Sequence, residues 1–201
     1  KHIAYTGDWI KQTNFYKENQ QLFKYEKYFG YFLWKPYIIK TVLEQYPEHN
    51  ILYCDSNLRF NNIKEFEKIY DYYMDNNGIF LIKHKPHINK DWTKRDTFIY
   101  MNADEEKYWN AHQIWHIISG WSARSTYLLE IYFDYCKKPK LVNDDPSTSD
   151  NLAGFREHRW EQSVLSILAE MHDIPGPWDL DMFKYIDKIY PNKLREFKKT
   201  Q

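Results

Sequence analysis

The run Ile51-Leu52-Tyr53-Cys54, which stops abruptly at Asp55 and Asn57, constrains this chain more than any other segment. A short apolar run bounded by polar residues reads as a buried strand, and such strands belong to sheets covered by helices. Where the strand ends, its first polar side chains stand at the rim of the sheet. Side chains two apart in an extended chain point the same way, so Asp55 and Asn57 share a direction if the chain stays extended. Their hard oxygens suit Mg²⁺ or Mn²⁺, which would in turn bridge the phosphates of a nucleotide. A polar turn, with both side chains bonded to local backbone, is the competing reading.

The rest of the chain alternates strands with helices. Residues 2–6 read as a first strand closed by Gly7, and residues 16–28 as a helix. After Pro36, a residue suited to a first helical turn, Ile38, Ile39, Val42, Leu43 and Tyr46 recur at helical spacing. Ile63, Phe66, Ile69, Tyr70 and Tyr73 mark an amphipathic helix closed by Asn76-Asn77-Gly78. Residues 79–82 and 114–119 read as strands, 124–136 and 159–171 as helices, and 97–101 fits either. Pro175-Gly176-Pro177 breaks the chain before two short C-terminal helices. This order predicts an α/β domain with a mainly parallel central sheet flanked by helices, and ligands beyond the carboxyl ends of its strands. Residues 143–154 form a long polar loop of the kind that often serves as an active-site lid.

Composition excludes several roles. With 201 residues the chain can bury a substantial core. Lys plus Arg and Asp plus Glu both number 28, so no global field recruits nucleic acid or an anionic membrane, and any phosphate binding must be local. The 19% aromatic content fills a core and also suits stacking on sugars and bases. Cys54 and Cys136 read as buried, reduced thiols, which fits a reducing compartment such as the cytoplasm. No apolar stretch is long enough for a membrane span, and no signal-peptide pattern opens the chain. A start at Lys1, without methionine, suits a fragment of something longer.

Four further segments carry candidate chemistry. Trp34-Lys35-Pro36 puts a cation at a helix start, where the dipole opposes it and a bound phosphate would relieve the conflict. Lys94 and Arg95, beside Trp92, could grip a diphosphate or an acceptor. Asp144 and Asp145, before Pro146, are paired carboxylates able to bind metal, act as a base or cap a turn. His158, Glu161 and Gln162 lie three and four apart on one helix face, next to Arg159. For each of these segments a solvated turn or an ordinary helix cap is the plain alternative.

Taken together, these segments resemble the small GT-A glycosyltransferases that use nucleotide-diphosphate sugars. Such enzymes occur in bacterial polysaccharide clusters and in large algal viruses, including the chlorella-virus type that glycosylates a capsid protein. The matching segments are residues 30–40, 51–60, 91–96 and 144–166. The resemblance implies one GT-A-like domain over residues 1–201, with 172–201 a C-terminal helical extension. It implies Mn²⁺ or Mg²⁺ held at Asp55 and Asn57, where the usual second acid is replaced by an amide. Tyr5 and Thr6 would lie near the base and ribose, Lys35 would face the phosphates, and Lys94 and Arg95 would contact the donor. The Gly120 region would shape the acceptor side, and His158, Arg159 and Glu161 would line the sugar pocket. Asp144, Asp145 or Glu161 would be the base if configuration inverts. The donor is expected to be a UDP-sugar, and the acceptor a glycan or glycoprotein. The rivals are a nucleotidyltransferase, for which no glycine-rich phosphate loop is evident, and a carbohydrate-binding or inactive glycosyltransferase-like module.

Overall fold

The computed structural model describes residues 1–25 and 27–188. The longer helices and the strands are, in order, α1 (Trp34–Gln45), β1 (Ile51–Cys54), β2 (Leu58–Phe60), α2 (Ile63–Asn77) and β3 (Ile79–Ile88), followed by β4 (His112–Trp121), α3 (Thr126–Cys136), α4 (Trp160–Met171) and β5 (Ile186–Lys188). The chain is a mixed α/β domain. Its sheet corrects the parallel expectation, because the order is β1-β4-β3 and β4 runs antiparallel to both neighbours. β1 and β3 do share a direction and are joined through α2, as the alternation of elements suggests. The strand that separates them arrives later and points the other way.

Burial on both faces explains the misreading. Ile79 and Leu81 pack with Val42, Leu128 and Leu165 on one side, while Phe80 and Ile82 pack with Phe66 and Met74 on the other. A sheet covered on both faces selects apolar strands whatever their direction. Gly120 sits where α2 presses closest, since a Cβ there would meet Tyr70 Cε2 at 2.6 Å. Its lack of a side chain therefore serves packing. α2 itself begins with Asn62 accepting from the Glu65 amide at 3.3 Å and ends at Gly78, whose φ of +71° suits glycine.

Other boundaries moved for local reasons. Residues 2–6 are not a strand; Thr6 is extended and caps a short helix, Gly7–Lys11, by accepting from Trp9 N at 3.2 Å. The helix expected over 16–28 is broken into Asn14–Glu18 and Gln20–Phe23. Then Tyr28, Phe29, Gly30, Tyr31 and Phe32 all take positive φ, a left-handed turn that costs roughly 1–2 kcal/mol at each non-glycine position. The ambiguous stretch at 97–101 belongs to a helix, Arg95–Tyr100. Of the expected C-terminal helical extension, the described part holds one short helix, Asp179–Met182, and β5, which pairs with β2; residues 189–201 lie outside the described residues. No helix among the described residues is long and apolar enough to cross a membrane.

Candidate functional site

The first turn of α1, the end of β1, the middle of β4 and the start of α4 converge on one buried ammonium. Lys35 Nζ donates to the His116 carbonyl at 2.9 Å and lies 3.3 Å from Asp55 Oδ1 and 3.5 Å from Glu161 Oε1. Lys35 and Glu161 are buried, and Asp55 is half-buried at the sheet rim. Asp55 Oδ1 also accepts from the Tyr53 hydroxyl at 2.6 Å, so burial, together with that carboxylate, raises the Tyr53 pKa well above its usual range. Glu161 Oε2 accepts from the Gln162 amide at 2.6 Å.

Behind the carboxylates runs a chain of neutral donors. The Trp121 indole donates to Ser119 Oγ at 2.8 Å, and Ser119 Oγ lies 3.3 Å from His116 Nε2. His116 Nδ1 faces Glu161 Oε1 at 3.3 Å, with the Tyr132 hydroxyl 3.4 Å away. Burial, aided by the Lys35 charge, holds the His116 pKa below its usual value despite Glu161, so the imidazole is neutral and carries its proton toward the carboxylate.

A cavity of about 390 Å³ adjoins this cluster, lined by Tyr5, Thr6, Tyr28, Phe29, Phe32 and Trp34, with Gly7, Ile10 and Ile38 completing the wall. The left-handed turn supplies three of those rings. Phe32 is shared between the two features, since Lys35 Nζ stands 4.6 Å from its centroid. Asp144 lies near the same rings: its carboxylate accepts from Trp160 Nε1 at 2.7 Å and Lys27 Nζ at 2.8 Å, and Tyr28 packs on Trp160 at 4.6 Å. Hydrogen bonding to Asp144 raises the Lys27 pKa.

The other sequence candidates are placed elsewhere. Lys94 is buried and bolts the 143–154 loop, donating to the Asn143 carbonyl at 2.9 Å, Asn143 Oδ1 at 2.7 Å and the Asp145 carbonyl at 3.4 Å. Asp145 itself accepts from the Asn143 amide. Asp96 fastens the same loop. Burial works against its carboxylate, but donors from Thr148, Ser147 and Ser149 outweigh that and hold its pKa low. The expected lid is therefore pinned at several points. Arg95 pairs with Asp104 at 3.0 Å and stacks over Trp109, and Arg159 stacks over Trp92 at 4.3 Å and pairs with Glu157 at 3.4 Å.

His158 is a second bolt. Its Nδ1 accepts from the Lys94 amide at 3.3 Å and its Nε2 donates to the Leu141 carbonyl at 2.8 Å, so both nitrogens are used by the neutral ring. Burial, with Lys94 nearby, pushes its pKa down to about 3. An unfolded histidine titrates near 6.5, so the unfolded chain takes up this proton first as acid is added. The contribution of this group to stability is complete above about pH 6.5 and is lost as pH falls toward about 3. Urea unfolding at about pH 7 and about pH 4.5 should show a loss of roughly 3 kcal/mol that a His158→Gln variant does not share. Equal losses in the two proteins would place the acid sensitivity elsewhere; His87, lowered to about 4 by burial and by His84, acts in both alike.

The case for a metal ion changes in kind. A turn follows Asp55, with Leu58 N donating to Asp55 O at 3.1 Å, so the extended-chain reason for pairing Asp55 with Asn57 does not hold. Instead Asn57 Oδ1 is buried without a hydrogen-bond partner among the described residues, an unmet hard acceptor two residues from a carboxylate. One carboxylate oxygen not used by Lys35 or Tyr53 and one amide oxygen are hard donors, and a divalent ion held there would need further ligands from outside these two residues. No group of three or more His, Cys, Asp or Glu able to hold a metal occurs among the described residues. Burial, and then the Asp55 charge, pushes the neighbouring Cys54 thiol up to about 12, which keeps it protonated.

Sequence reasoning missed His116, Tyr53, Tyr132 and the ring-lined turn. The available signal was His116 and Ser119 inside the otherwise apolar run from Ile114 to Trp121, since buried polar groups demand partners. No protein-family model, no curated protein and no solved structure matches this chain.

Proposed function

We propose that this protein is a glycosyltransferase that moves a sugar from a nucleotide-diphosphate donor, a UDP-sugar first, to a glycan or glycoprotein acceptor. The observation that supports the reading is the Lys35 ammonium set between Asp55 and Glu161 at the carboxyl end of β1, beside an aromatic cavity that Tyr5 and Thr6 line. In this reading the base stacks among the cavity's rings and the diphosphate lies over Asp55. Asp55 and Asn57 would hold Mn²⁺ or Mg²⁺. When bound, such an ion screens the charge that builds on the departing nucleoside diphosphate.

The protein's own residues then divide the work. Lys35 has its ammonium committed to three oxygens, of His116, Asp55 and Glu161, so it positions Asp55 and Glu161 and does not reach the phosphates. Glu161, buried and saturated, ties α4 to that frame. If configuration inverts, Asp144 is the carboxylate open enough to take the acceptor proton, oriented by Trp160 and Lys27. Retention requires no such base.

Replacing Asp55 by alanine should lower donor hydrolysis and transfer at least about a hundredfold, and should also lower the melting temperature, because Tyr53 and Lys35 lose a shared acceptor. UDP with Mn²⁺ should stabilise the unaltered protein, and the same variant should lose that stabilisation. Full activity in Asp55→Ala would overturn the assignment. The second reading, a binding or inactive module, is favoured by Asn57 standing where a second acid is usual; it requires sugar binding that is indifferent to nucleotide and metal.

A further inference from the structure

A second cavity, of about 280 Å³, opens near the far end of α4, lined among others by Lys83, Asn110, His112, Ser166, Glu170 and Trp178. Glu170 lies nine residues beyond Glu161, roughly 13 Å along the helix axis. None of the groups assigned to transfer takes part in it. The Trp178 indole provides an apolar wall, met edge-on by the His112 ring at 4.9 Å and 83°. That wall is fixed in place: Lys83 N donates to Pro177 O at 2.9 Å, Trp178 bridges to Lys83 in parallel, and Asp179 accepts from Lys85 N at 3.1 Å.

Around the indole, polar groups stand uncommitted. His112 Nδ1 is buried and has no partner among the described residues. Asn110 gives its Oδ1 to Lys90 Nζ at 3.0 Å, which leaves its amide N–H groups. Among the described residues no hydrogen bond or ion pair engages the side chains of Lys83 and Glu170, whereas Lys107 is held by Asp173 at 3.5 Å. Ser166 Oγ is satisfied, accepting from Ile114 N at 2.8 Å and donating to Gln162 O at 2.6 Å.

We propose that this cavity binds one sugar ring of a glycan, stacked on Trp178 and hydrogen-bonded by Lys83, Asn110 and Glu170. A pyranose offers an apolar C–H face for the indole and hydroxyls that both donate and accept, which matches an ammonium, an amide and a carboxylate lining one cavity. An inorganic anion would meet the Glu170 carboxylate, and an apolar ligand would cover the Lys83, Asn110 and Glu170 side chains without pairing them, at a cost. The volume lies at the small end of ligand pockets, enough for a single ring. The site stands whether or not the chain transfers sugar.

Saturation-transfer NMR on the full chain tests this, using the methyl pyranosides of glucose, galactose, N-acetylglucosamine and glucuronic acid as probes. Transfer to the ring protons of at least one is expected, with binding about tenfold weaker in Glu170→Ala and in Asn110→Ala, a loss of the size one hydrogen bond gives. Asn110 is exposed and Glu170 half-buried, and unchanged melting temperatures would certify the variants. Three results would each overturn the proposal: no transfer to any probe, transfer indifferent to both substitutions, or displacement of the sugar by inorganic phosphate.

Discussion

Replacing Lys35 by methionine is expected to cost about 3–5 kcal/mol of stability, because it leaves two carboxyl groups and the His116 carbonyl facing one another without their shared donor. Glu161 is only 2% exposed, so water cannot substitute for the missing ammonium. In a domain of this size the melting temperature should fall by roughly 10 °C. Thermal and urea unfolding read the effect directly. The double variant Lys35→Met, Glu161→Gln should recover part of the loss, since it removes one of the stranded carboxylates, and a double-mutant cycle isolates that coupling. A Lys35→Met protein as stable as the parent would show that the ammonium does not organise the site.

Gly176→Ala is the second large effect. A Cβ at this position would lie 1.9 Å from the Leu81 carbonyl oxygen and 3.1 Å from its carbon, both backbone atoms of a buried strand that cannot swing aside. The segment must move off β3, breaking the bond from Lys83 N to Pro177 O and the contact between His84 and Asp179. A cost of about 3 kcal/mol is expected, read by urea unfolding against Gly7→Ala, where an added Cβ meets nothing within 4 Å. Comparable stability in the two variants would mean that the Pro175-Gly176-Pro177 strap yields easily. The same substitution should weaken the sugar binding proposed at Trp178, because the strap fixes that residue through its backbone bridge to Lys83.

The three strands of the main sheet and the longer helices were legible in the sequence, because apolar spacing reports burial; the short β2 and β5 were not. Strand direction was not. Ile79 to Ile82 are fully buried from both sides, and nothing in their spacing distinguishes a parallel neighbour from an antiparallel one. Among the site candidates, Lys35, Asp55 and Glu161 could be singled out because each polar side chain stands at the boundary of an apolar element, and the fold brings them together. Lys94, Arg95, His158 and Arg159 stand at similar boundaries but are held by Asn143, Asp104, Leu141 and Trp92. The difference lies in partners far along the chain, which local pattern does not encode. The five positive φ values at residues 28–32 left even less trace, since only Gly30 favours that conformation in its own right.

The pairing of β1 with β4 also bears on how the molecule is made. Ile51 aligns with Trp121 and Cys54 with Ile118, so the strand that carries Asp55 waits for most of the middle of the chain before it acquires a neighbour. On a ribosome, β1, α2 and β3 emerge with no central strand to join them, and the strand edges meant for β4 stay unpaired until residue 121 has cleared the exit. Such long-range closure slows folding and prolongs exposure of sticky edges. Nascent chains stopped short of β4 should therefore be the species most in need of a chaperone.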